Sequence, residues 1–158
     1  MSTATAEVRA ESLGWRDKRI SERHRAWGFD CPGVDLDLLL VEFNFGLPVA
    51  LIEYKHHNVG DVDLQHPSYR ALRALADGYA MNGKPSPLPF LVAAYWPDTW
   101  AFRVTPANQA AAQVFKDNQV LTEFDFVSRL YNLRQKIVTD SLASRLQRRL
   151  PQGYEVPF

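Results

Sequence analysis

The sequence predicts an α/β fold, with a small mixed sheet flanked by helices and a long C-terminal helix. Three observations carry that prediction. Short, nearly unbroken apolar runs at 36–41, 49–54 and 90–96 read as strands covered on both faces. Segments at 12–27, 67–81 and 123–150 carry helical spacing instead. The order is helix, strand, strand, helix, strand, strand, helix.

Residues 1–10 read as a frayed start. From about Ser12 to Trp27, Leu13, Ile20 and Trp27 recur at heptad-like spacing among Arg16, Lys18, Arg19, Arg23 and Arg25. Gly28 and Pro32-Gly33 end that helix. In the first strand Leu36, Leu38 and Leu40 face one side, and Asp35, Asp37, Leu39 and Val41 the other. In the second, Ala50, Ile52 and Tyr54 oppose Val49, Leu51, Glu53 and Lys55. Asn44-Phe45-Gly46-Leu47 is the turn between them, with Gly46 available for positive φ.

Residues 56–64 form a polar loop. The next helix runs from about Pro67, which suits a first turn, to Met81. Its apolar face is Leu72, Leu75, Ala76 and Tyr79, and Asn82-Gly83 caps its end. Pro85 to Pro89 is a stiff connector into a buried strand ending at Trp96. Pro97-Asp98-Thr99 turns into a further strand, Trp100 to Val104. A short helix spans about Ala107 to Phe115. The last helix starts at Glu123, where Thr122 and Asp125 resemble a capping box. Phe126, Leu130, Leu133 and Ile137 form one apolar row, and Val138, Leu142 and Leu146 the next.

A chain of 158 residues with 46% hydrophobic content suits one domain. Lys+Arg and Asp+Glu balance at 18 each, so attraction to nucleic acid must come from local clustering. Such clusters exist: Arg23-His24-Arg25 on the first helix, and Arg129, Arg134, Lys136, Arg145, Arg148 and Arg149 on the last. The single cysteine, Cys31, excludes an intramolecular disulfide and a Cys-rich zinc site. No apolar run approaches the roughly 18 residues of a membrane span. The N-terminus lacks the apolar core of a secretory signal, so a cytoplasmic protein is expected.

The chemistry concentrates on the hairpin. Side chains alternate along strands, so a turn pivoting at Phe45 sets Asp37 opposite Glu53 and Asp35 opposite Lys55. A pivot at Gly46 shifts the pairing by two residues and keeps all four on one face. Either register brings carboxylates within roughly 5–8 Å. Carboxylates that close repel unless a cation joins them. Mg²⁺ takes one or two carboxylates, a carbonyl and waters, and the Tyr54 carbonyl is a plausible third ligand. A lysine beside the metal can orient water and bind a phosphate oxygen.

Asp37, then Glu53-Tyr54-Lys55 closing an apolar strand, resembles the D…(D/E)xK signature of the PD-(D/E)xK nuclease superfamily. The resemblance covers roughly residues 12–104 and implies a restriction endonuclease-like core within a single domain, with residues 107–150 as a helical extension. It implies a Mg²⁺-dependent (or Mn²⁺-dependent) nuclease hydrolysing DNA. Asp37 and Glu53 would be metal ligands, and Lys55 the catalytic lysine. Glu22 matches an additional metal-binding glutamate on the first helix of many members. Gln65-x-x-x-Tyr69 resembles the QxxxY element of the exonuclease branch, which approaches metal and substrate. Arg23 and Arg25 are expected to meet phosphate. The proline of the motif is not directly before Asp37, and the aspartate is doubled, so Asp35 is an alternative ligand. The short chain suits a homodimer or a structure-guided nuclease. A rival reading from another class is a non-catalytic adaptor on the same fold, contacting nucleic acid or a protein. A third makes the charges purely structural.

Overall fold

A computed structural model describes residues 34–149 together with Arg23 and Ala26. The chain divides into units Met1–Val34 and Asp35–Phe158, and the second holds the sheet. Of the predicted first helix, Arg23 and Ala26 are helical and exposed; the rest lies outside the described residues.

Strands β1 (Leu38–Glu42) and β2 (Leu47–His56) form an antiparallel hairpin. Leu38 pairs with Ile52, Leu39 with Leu51 and Leu40 with Ala50, which is the register of a pivot at Phe45. The register then shifts, and Val41 pairs with Pro48. Val49 is the extra residue of a bulge, placed where proline has no N–H to offer the ladder. Gly46 closes the turn at φ 61°.

Helix α1 (Pro67–Asp77) carries the chain over to β5 (Phe90–Trp96), which pairs parallel with β2. This helix ends earlier than the sequence predicts. Asn82 and Gly83, at φ 54° and 75°, do not cap it. They form the two-residue turn of a miniature hairpin, β3 (Ala80–Met81) and β4 (Lys84–Pro85). Positive φ at both central residues is what an Asn-Gly hairpin turn requires. Gly78 caps α1 instead, its N–H donating to the Ala74 carbonyl.

Strand β6 (Ala101–Pro106) returns antiparallel to β5, and β7 (Gln119–Leu121) adds to β6. Helix α2 (Gln109–Ala112) is the core of the predicted short helix. The sheet order is β1-β2-β5-β6-β7, a mixed five-stranded sheet. The expected α/β architecture is therefore present, with β3–β4 and β7 unanticipated. Three residues with one buried side chain, Leu121, leave little alternation to read in β7.

Two apolar layers sandwich the central strands. On one face Ala50, Ile52, Leu91, Ala93, Phe102 and Val104 pack with Phe115 and Phe126. On the other, Leu51 and Phe90 pack with Leu72 and Ala76 of α1. Leu75 of the predicted helix face is 62% exposed, because the inward stripe is Tyr69, Leu72 and Ala76. β1 also departs from expectation. As the outermost described strand on its side it leaves Leu38, Leu39 and Val41 exposed. Leu36 lies ahead of the strand and packs with the α1 layer, not with Leu40.

Helix α3 (Glu123–Arg149) lies across the first layer. Thr122 and Asp125 form the predicted cap: Asp125 N donates to Thr122 Oγ1 at 3.1 Å. Phe126 is buried, and Leu130 and Leu133 pack beside it. An ion pair pins the helix to the sheet edge. Glu42 at the end of β1 is fully buried, and its Oε2 pairs with Arg134 Nε. Asn44 N donates to its Oε1 at 3.1 Å.

A buried carboxylate without its cation is strongly destabilising. Arg134→Ala should cost about 3 kcal/mol and lower the melting temperature by about 10 °C. Glu42→Gln with Arg134→Met should recover most of that loss. Calorimetry of both variants checks this.

Candidate active site

Asp37 sits one residue before β1, opposite Glu53 by continuation of the register. There the side chains take over from the backbone ladder. Asp37 N donates to Glu53 Oε1 at 3.1 Å, and Tyr54 N donates to Asp37 Oδ2 at 2.8 Å. This exchange fixes both carboxylates at the mouth of the hairpin. The N–H and C=O of one strand residue point the same way, so the Tyr54 carbonyl faces the Asp37 edge too.

Glu53 is 5% exposed, and its second oxygen accepts from Lys55 Nζ at 3.3 Å. Two residues apart on one strand, the pair shares a face. Tyr69, one turn into α1, faces Lys55 closely enough for each to alter the other's proton affinity. For Lys55, burial alone pulls the pKa down; Tyr69, Glu53 and Asp37 together outweigh it and lift the ammonium above its ordinary 10.5. For Tyr69 burial acts the other way and raises the pKa above 10.0, with Glu53 and Asp37 adding to the rise and Lys55 opposing it. Lys55 is thus a cation at neutral pH.

The other predicted residues, and the histidines near the site, are placed as follows. Asp35 is exposed, two residues ahead of Asp37. Gln65 is exposed just before α1, its N–H donating to Asp63 Oδ1 at 2.9 Å. Glu22 and Arg25 lie outside the described residues, and Arg23 is an exposed helical residue. His66 is the N-cap of α1, its Nδ1 accepting from Ser68 N at 3.3 Å. The His56 and His57 rings lie tilted to each other at 4.4 Å between centroids, and His57 stacks on Trp96 at 5.6 Å. Several cations of the last helix are structural: Arg134 pairs with Glu42, Lys136 with Asp140 at 2.6 Å, and Arg129 donates to the Val114 carbonyl at 2.8 Å.

Among the described residues no three His, Cys, Asp or Glu side chains converge as a metal cluster. Two carboxylates with a neighbouring carbonyl nonetheless suit Mg²⁺, which completes its shell with waters and phosphate oxygens. Asp37 and Glu53 are therefore the residues that fit such an ion. Reasoning from sequence missed the Glu42–Arg134 pair, since nothing in the spacing links residues that far apart. It also missed Arg103, whose facing depends on the strand order.

The raised pKa values set a pH dependence. The folded chain holds the Lys55 and Tyr69 protons more tightly than the unfolded chain. Their contribution is complete below about pH 10 and is lost as pH rises through the folded values. Lys55→Met and Tyr69→Phe should each flatten the alkaline decline in the urea midpoint.

No helix of the described residues is long and apolar enough to cross a membrane. No family model, curated protein or solved structure matches the chain.

Proposed function

We propose that this protein is a PD-(D/E)xK-type nuclease that uses Mg²⁺ or Mn²⁺ to hydrolyse DNA phosphodiester bonds, and that it works in the cytoplasm. The observation that carries the reading is the hydrogen-bonded set at the hairpin mouth. Asp37 and Glu53 are locked to each other's strand, and Lys55 is held on Glu53.

Asp37 and Glu53 would hold the ion, with the Tyr54 carbonyl beside them. A divalent cation there would polarise the phosphate and acidify a bound water. The protein's own residues do the rest. Glu53 is preorganised by the Asp37 N–H and positioned by burial. Lys55, protonated throughout the neutral range, stabilises charge developing on the phosphate oxygens. Water adds to phosphorus and releases a proton to solvent, the P–O bond to the leaving sugar oxygen breaks, and that oxygen takes a proton from solvent. Tyr69 borders Lys55.

One observation favours a second reading, a binding-only adaptor on the same scaffold. Lys55 and Glu53 neutralise each other, and no third metal-ligating side chain joins them among the described residues.

The two part on one assay. Plasmid, linear duplex, single strand, branched junction and RNA are incubated with Mg²⁺ or Mn²⁺. Cleavage is expected, abolished by chelator and reduced about 10²–10³-fold in Lys55→Ala. A folded wild type that binds DNA equally in chelator and cuts no substrate would establish the adaptor instead.

A further inference from the structure

Strand β6, one strand beyond β5 from the site, holds a cation with no partner among the described residues. Lys55 pairs with Ala94, and Ala94 with Arg103, so these three lie in one row across β2, β5 and β6. Glu53, Val92 and Thr105 form the neighbouring row. Residues directly opposite share a face of the sheet. Arg103 and Thr105 therefore project on the side of Glu53 and Lys55. With strands about 4.8 Å apart, the Lys55 and Arg103 backbones stand about 10 Å from each other. Only the methyl group of Ala94 rises between them.

Lys55, Arg103 and Thr105 line one small recess, bounded by the loop at residues 59–62. Asp61 is the acid in that loop and is exposed. Arg103 is half-buried, and among the described residues its guanidinium has no hydrogen-bond or ion-pair partner. The Thr105 hydroxyl is likewise unbonded. A guanidinium has five donors and no acceptor, and those of half-buried Arg103 stay open to a ligand. Two cationic side chains lining one recess over a small side chain suit an oxyanion that bridges them.

We infer that Arg103 is a phosphate-binding residue: with Lys55 it holds the non-bridging oxygens of a nucleic-acid phosphate over Ala94. This rests on the reading that a nucleic-acid backbone enters on this face, and it adds the cation that positions that backbone.

The test is equilibrium binding of a fluorescein-labelled DNA duplex to the full chain in chelator, across a salt series. Wild type, Arg103→Ala, Arg103→Gln and Arg103→Lys are compared, with Lys136→Ala as a surface-charge control. Each variant is first shown folded by its melting curve. Loss of one phosphate contact should reduce the slope of log K against log salt by about 0.9. Affinity should fall about tenfold at low salt, equally for unrelated sequences, and Arg103→Lys should keep most of the wild-type slope. Arg103→Gln stands in should Arg103→Ala fail to fold. A purely structural Arg103 would change the melting curve and leave the slope alone, which overturns the inference. Metal- and Lys55-dependent cleavage with an unchanged slope would sink Arg103 while leaving the nuclease standing. A reduced slope without cleavage would support Arg103 and remove the catalysis. A wild type that binds no duplex would overturn the inference, and the cleavage panel would still decide the nuclease.

Discussion

The pairing of Leu38 with Ile52 is the constraint on which the site depends. Side chains alternate with a period of two, so a slip of one residue would turn Asp37 away from Glu53. Two local devices prevent it. Gly46 takes the positive φ that closes the turn, and Pro48 forces the bulge at Val49. The bulge absorbs one residue near the turn and leaves the far end of the hairpin in register. At that far end the ladder gives way to carboxylates, and backbone donors hold them.

Each end of the hairpin buries a glutamate. Glu53 is met by Lys55, two residues along the same strand. Glu42 is met by Arg134 on a helix that enters from the other end of the sequence. Both follow from one physical rule, that a carboxylate removed from water needs a cation or a set of donors. Their consequences differ. The Glu42 pair ties α3 to the sheet edge, whereas the Glu53 pair keeps an ammonium at the mouth of the hairpin beside Tyr69 and Ala94. The parallel β2–β5 pair sets the floor between them. Its residues are small or apolar on both faces, so helices pack above and below and the polar groups collect at the strand ends.

Much of this was legible in the chain. Unbroken apolar runs marked β2 and β5, because a strand buried on both faces needs apolar residues at every position. Thr122 and Asp125 marked the start of α3, and Asp37, Glu53 and Lys55 could be set on one face by counting alone. The misreadings also have physical causes. Asn82-Gly83 has two uses, helix cap and hairpin turn, and only the Ala80–Pro85 pairing selects between them. β1 carries as many leucines as a buried strand, yet as the outermost described strand it leaves Leu38 and Leu39 exposed. Leu75 fits a helical stripe on paper, but Tyr69, Leu72 and Ala76 are the positions that meet Phe90 and Leu51.

By itself the sequence determined the elements whose signals are local: apolar period, capping chemistry, the hairpin and the alternation that groups its charges. These depend on neighbours a few residues away, and spacing encodes them directly. Tertiary structure alone decided the order β1-β2-β5-β6-β7, and with it which distant side chains meet. Arg134 becomes the partner of Glu42, and Arg103 a neighbour of Lys55, only when strands and helices remote in sequence are brought side by side. Such contacts come from packing two apolar layers on one sheet, and no local pattern records which residues that packing brings together.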